Sequence, residues 1–324
     1  MIGVMDWRQQ ASGQLYHLAP MALSVFLFYV AVSLRVPYAL ALAGIPLYYS
    51  MARHGREYAV TVAVGSSLAV FIISDAILAL WFTSICVFMA LAAAEALRRR
   101  AGLGLAMAMT ALVPFLAVVA VFSITAQSSG EGMFHTAREV SEKVVANMVE
   151  QQAQAGGRKE IGQFLKSERE TLVWVLSAVF PSVIFDMTLL LALLHHLMAR
   201  AFSIRFGWGA HMPDHDLTRW RAPEKLVWVV LAGVALSLTG LNTFTAALGL
   251  NLLLATGMVY SLQGLSTVHH WLRKVKTPVG VNNLVYILLL VAIPWSVMLL
   301  CSLGLIDAAL DLRSDPDKGL APGN

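Results

Sequence analysis

The sequence runs to 324 residues, of which 58% are hydrophobic and only 13% charged, with a mean hydropathy of +0.70. Those proportions exclude an ordinary soluble domain and a disordered chain, and place the sequence among polytopic membrane proteins. The formal charge of +4 comes from Lys and Arg flanking apolar runs, and with no nucleic-acid-binding motif in the chain no nucleic-acid partner is expected.

Met1 to His17 is polar, and the first apolar run, Leu18–Ser33, is followed almost at once by a second, Val36–Met51. No small-x-small cleavage pattern separates them, so the pair reads as a retained helical hairpin turning at Leu34, Arg35 and Pro37. Tyr58–Leu97 is about twice the length of one span, and Asp75 near its centre predicts two helices joined by a tight turn at Ser74 and Asp75. Gly102–Ala126 makes a fifth span. The segment 127–170 is the one long polar stretch, in which Phe134, Ala137, Val144, Val145 and Met148 recur at helical spacing. It predicts an amphipathic extramembrane helix, broken at Gly156-Gly157, that lies on the membrane surface or caps the bundle.

Thr171–Met198 then reads as one long apolar helix with Asp186 at its middle. Beyond a polar loop, Leu226–Ser266 holds two spans turning near Gly240, Leu241 and Asn242, and a last span covers Asn283–Ile306. The tail from Ser314 has no apolar run and is expected to be disordered. The expected architecture is therefore an all-α transmembrane bundle of eight to nine spans. Its parts are 1–126 with about five spans, the extramembrane segment 127–170, 171–313 with about four spans, and the tail 314–324. With the amino terminus inside, Lys and Arg outside the long loop fall 14 inside to 3 outside, a strong positive-inside bias.

Few residues carry chemistry. An Asp at the centre of a span costs about 2.5 to 3.5 kcal/mol, so Asp186 must face other helices, carry a proton or bind a polar partner. Pro181, five residues earlier, frees a backbone carbonyl about one turn upstream, a common way of shaping a cavity. Asn251, Tyr260 and Gln263 share one span. Tyr260 and Gln263, three apart, occupy one face, whereas Asn251 and Gln263 differ by about 120° around a helix. These residues either line a ligand cavity with Asp186 or form interhelical hydrogen bonds. His195-His196, the run His211, Asp214, His215 and Asp216, and His269-His270 all fall on the expected inner side. Adjacent histidines point about 100° apart on a helix, so each pair supplies one ligand, and His195, His211, Asp214, His215 and His269 are the candidates for a divalent ion. No zinc-binding motif spacing joins them, and no metal and no cofactor are expected. Glu95 precedes Arg99 by four residues and predicts a surface ion pair. Asp75 in a turn and Asp307 at a helix end are expected to contact solvent. No nucleophile elbow, phosphate loop or paired catalytic carboxylates appear, and the chain is expected not to be an enzyme.

In the carboxyl-terminal third, Tyr260-Ser-Leu-Gln263-Gly264-Leu265, followed by Gly304-Leu-Ile-Asp307 and Asp311-Leu-Arg313, resembles the signature of the YybS-like family of bacterial multi-pass membrane proteins. The layout is similar too, with a long amphipathic segment and Pro181 in the span after it. More distantly such proteins look like the substrate-binding components of energy-coupling-factor transporters and like the rod-shape protein MreD. The resemblance implies a multi-pass protein of the bacterial cytoplasmic (inner) membrane with a cytoplasmic amino terminus. It further implies a non-enzymatic small-ligand-binding component of a transport system, served by separate ATPase and coupling subunits. An envelope-assembly scaffold whose amphipathic segment docks a partner is the alternative, and a metal-dependent membrane enzyme using the inner histidines is the third.

Overall fold

The computed structural model describes residues 7–128, 132–154, 159–207, 217–239 and 242–313. Every regular element among them is helical, and the chain divides into two compact units, 1–214 and 215–324.

In the first unit, α1 (Trp7–Ser33) ends in a turn at Leu34 and Arg35, where Arg35 has a φ of 54°. The hairpin is present, but its second arm is not one helix. It is a 3-10 turn (Pro37–Ala39), a four-residue α2 (Leu40–Ala43) and α3 (Ile45–His54). Pro46 explains the break, since it cannot donate a hydrogen bond into the preceding turn. Next come α4 (Arg56–Ile73) and α5 (Ala76–Phe82), separated by Ser74 and an exposed Asp75 whose carboxylate accepts the Leu78 N–H at 2.7 Å. A π-helical turn (Thr83–Val87) joins α5 to α6 (Phe88–Arg98), at whose end Glu95 pairs with both Arg98 and Arg99 at 2.7 Å.

The next helix, α7 (Leu103–Ser128), leads to the polar segment, α8 (Met133–Gln154) and α9 (Lys159–Ser167); Gly156-Gly157 lies outside the described residues. Ala137, Ser141 and Val145, spaced four apart, are buried on α8. Arg138, in the second turn of α8, reaches Glu170 at the start of α10 (Arg169–Ala178) at 3.0 Å, so the two helices lie side by side. The stretch from Thr171 is not one helix. It kinks at Val179, just before Pro181, and continues as α11 (Phe180–Phe206). Three pairs, Thr110 with His196, Phe115 with Phe185 and Phe122 with Phe180, set α7 and α11 antiparallel.

The second unit holds a 3-10 turn (Leu217–Arg219), α12 (Leu226–Leu238), α13 (Thr243–Lys274), α14 (Val279–Val291) and α15 (Ile293–Leu310). Asn242 caps α13 reciprocally with Thr245, while Gly240 and Leu241 lie outside the described residues. The expected last span is divided at Ala292, ahead of Pro294.

Among the described residues five helices are long and apolar enough to cross a membrane: Arg56–Ile73, Ala76–Arg98, Leu103–Gln127, Phe180–Phe206 and Thr243–Lys274. The count of eight to nine goes beyond this. Leu18–Ser33, Leu226–Leu238, Val279–Leu289 and Trp295–Leu310 are apolar but shorter, and the Val36–Met51 arm is interrupted. A 13-residue helix such as α12 spans only about 20 Å, against a hydrocarbon core of about 30 Å. The tail from Ser314 lies outside the described residues.

Candidate functional site

The interruption between α2 and α3, where Gly44 keeps right-handed helical dihedrals (φ −78°, ψ −18°), is buried. Ala41, Ala43, Ile45, Leu47, Tyr48 and Ser50 are all inaccessible or nearly so. Inside an apolar bundle carbonyls near such a break are stabilised by side-chain donors, and three helical runs approach the segment. The Cys86 thiol, from the π-helical turn, lies 3.7 Å from the Leu40 carbonyl. His195 Nδ1, from α11, lies 3.0 Å from the Ala41 carbonyl. The Ser24 hydroxyl, from α1, donates to the Ala43 carbonyl. The π-helical turn thus sits against the break, a coincidence of two irregularities that recurs at functional sites.

Gly44 makes the close approach possible. A Cβ there would stand 3.1 Å from Cε1 of His195 and 3.1 Å from the Cys86 carbonyl oxygen. The Tyr48 ring meets His195 edge to face, with centroids 5.6 Å apart. A carbonyl can only accept, so the His195 proton resides on Nδ1 and Nε2 carries a bare lone pair. That Nε2 is buried with no hydrogen-bond partner among the described residues. The next residue diverges as helical geometry requires. His196 Nε2 lies 3.0 Å from the Thr110 hydroxyl, whose own proton is directed to the Ala106 carbonyl at 2.7 Å.

Asp186 stands on the same helix. Because the helix breaks at Val179, Asp186 is the seventh residue of the 27-residue α11 rather than the midpoint of a longer one. The centre falls at Leu193, so His195 and not Asp186 is the titratable side chain nearest mid-span. Asp186 Oδ1 is buried and has no partner among the described residues. Nine residues separate the two, about 13.5 Å along the axis and half a turn around it, so they are separate acceptors rather than one pocket.

Tyr260, Gln263 and Asn251 belong to the second unit. Gln263 is fully engaged: its Oε1 accepts the Ala222 N–H at 3.0 Å and its Nε2 donates to Asp307 at 2.8 Å. Asp307, expected in solvent, is only 2% exposed and forms a two-pronged ion pair with Arg313, with contacts of 2.6 and 3.1 Å. Arg313 also donates to the carbonyls of Thr218 and Trp220, at 3.0 and 2.9 Å, and to the Ser266 hydroxyl at 2.8 Å. The reversal that returns Arg313 to Asp307 occurs at Asp311, in the left-handed region at φ 49°. Tyr260 is buried where α13 crosses α15. A Cβ on Gly304 would stand 2.0 Å from the Tyr260 carbonyl oxygen, and one on Gly264 would stand 2.0 Å from that of Leu300. Asn251 Nδ2 donates to the Ala247 carbonyl, one turn back, at 2.8 Å. The structure therefore gathers the motif residues into one polar joint and places Asp186 in the other unit.

Among the described residues no three His, Cys, Asp or Glu side chains converge as a metal site would require. His269 Nδ1 bonds to the Tyr286 hydroxyl, and His211, Asp214 and His215 lie outside the described residues. Sequence reasoning passed over the α2–α3 break; Gly44-Ile-Pro46 inside an apolar run was its signal.

No curated protein and no solved structure matches the chain, so the more distant likenesses to energy-coupling-factor components and MreD gain no support. The DUF2232 family, described as predicted membrane protein, matches residues 22–308, and the chain belongs to that family.

Proposed function

We propose that this protein is a non-enzymatic, small-ligand-binding component of a membrane transport system, and that the ligand is held in the first unit. The observation that carries the reading is the buried, unpartnered Nε2 of His195, whose Nδ1 is held by the Ala41 carbonyl of the interrupted α2–α3 segment. Broken helices are the usual device by which transporters bring backbone polarity to a buried site. Asp186, with an unpartnered oxygen on the same helix but about 13.5 Å away on its opposite side, is a separate acceptor outside this site. Tyr260, Gln263 and Asn251 drop out of the ligand set, since Gln263 is committed to Asp307 and Ala222.

Isolation of the full-length protein from its own membrane, followed by native mass spectrometry, tests this. A retained small molecule together with an ATP-hydrolysing subunit is expected. A ligand-free chain bound to cell-wall or division proteins contradicts it and favours the scaffold reading. One observation speaks for that alternative: Phe134, Val144 and Met148 on α8, and Phe164 on α9, are exposed.

A further inference from the structure

We propose that the ligand of the first unit is a positively charged hydrogen-bond donor, a protonated primary or secondary amine rather than an anion. This rests on the ligand-binding reading above.

The unsatisfied groups inside the first unit are electron-rich. His195 is wholly buried, and its Nδ1–H is consumed by the Ala41 carbonyl, which leaves Nε2 only a lone pair to offer. The Ala41 carbonyl takes the Nδ1 proton, and the Cys86 thiol and Ser24 hydroxyl lie against the Leu40 and Ala43 carbonyls, so Nε2, on the opposite side of the ring, is the acceptor left open. Asp186 Oδ1, about 13.5 Å along the same helix and on its opposite side, is also an acceptor without a partner among the described residues, but lies outside this site. The Tyr29 hydroxyl, also unpartnered, can act as donor or acceptor and decides nothing. Among the described residues of this unit no Lys or Arg is buried. An entering carboxylate or phosphate would meet lone pairs and no cation, which in a medium of low dielectric is strongly unfavourable. An ammonium group reverses each term. It supplies two or three N–H donors and gives Nε2 the proton donor it lacks. A transition ion fits less well, because the described residues bring no three metal-binding side chains together.

The test uses the full-length protein extracted into lipid nanodiscs, with the bound molecule released and identified by mass and by its sign of charge at neutral pH. His195→Phe, which keeps a ring and removes the acceptor, and His195→Gln, which restores an acceptor oxygen, are compared after a check for monodispersity. An amine is expected in the wild-type protein, depleted about tenfold in His195→Phe and partly recovered in His195→Gln. If the phenylalanine variant fails to fold, displacement from the wild-type protein decides: n-butylammonium should release the bound molecule and butyrate should not. A retained anion, a molecule without N–H donors, equal loading of His195→Phe, or release by butyrate alone overturns the inference and leaves ligand binding standing. A wild-type protein that retains no small molecule overturns the ligand-binding reading itself, and the inference with it.

Discussion

A methyl group on Gly44 would press on the His195 ring and the Cys86 carbonyl at 3.1 Å, so bulk at this residue acts directly on the proposed site. Gly44→Val should lower stability by about 1 to 3 kcal/mol through overpacking, read as a fall in the thermal midpoint in detergent, and should reduce ligand retention. The Asp307–Arg313 pair presents a different case, because both side chains are sequestered. Removing one partner strands a buried charge, so Arg313→Met should cost about 3 to 5 kcal/mol in chemical unfolding. Combining it with Asp307→Leu should recover part of that loss, and only part, since Gln263 and the Thr218 and Trp220 carbonyls then lose their partners too. The ends of this joint were legible as a motif, but its ion pair was not. A spacing of six residues across a helix end carries no pairing signal until the left-handed turn at Asp311 brings Arg313 back. Glu95 with Arg99 was readable for the opposite reason, because a spacing of four on one helix fixes the geometry in advance.

Between elements, the crossing of α13 and α15 depends on backbone meeting backbone. Gly264→Ala and Gly304→Ala each set a methyl group 2.0 Å from a carbonyl oxygen of the other helix, and no rotamer change can relieve that. Each should lower the thermal midpoint markedly, at or beyond the upper end of the roughly 1 to 3 kcal/mol typical of overpacking. Gly257→Ala is the control, because its nearest neighbour is the Cys301 sulfur at an ordinary 3.8 Å, and it should be nearly neutral. At the α2–α3 break, Pro46→Ala returns a backbone N–H and permits a continuous helix. Hydrogen exchange over residues 40–48 should slow while ligand retention falls; unchanged retention would show that the interruption is incidental. Helix type was readable along most of the chain from apolar runs and punctuation such as Ser74-Asp75. Helix continuity was not, because Pro46, Pro181 and Pro294 read alone as tolerated kinks, and only tertiary packing decides that each marks a helix start.

At the scale of the whole molecule, length and hydropathy disclosed a helical membrane protein, while five helices among the described residues reach spanning length against the eight to nine expected, since apolar runs reveal burial in protein or lipid without distinguishing the two. Of the candidate site, Asp186 was legible as an apolar span's one carboxylate. His195 was visible only as half of a histidine pair, and its tautomer depends on a carbonyl 154 residues away in sequence. The polar segment 127–170 has two kinds of surface, and cysteine labelling in native membranes should separate them. With Cys301 replaced by Ser, Val144→Cys and Met148→Cys should react with a polar maleimide, while Ala137→Cys and Val145→Cys, buried in the structure, should not. Protection of all four would indicate a partner seated on α8 and favour the scaffold. The central claim, that the first unit holds a donor ligand against His195, is tested most directly by nitrogen-15 NMR of histidine-labelled protein in bilayers, with His195→Gln assigning the resonance. An imidazole protonated on Nδ1 is expected, with an unprotonated Nε2 whose signal moves when the co-purified ligand is washed out. A proton on Nε2, or a signal indifferent to ligand removal, would contradict it.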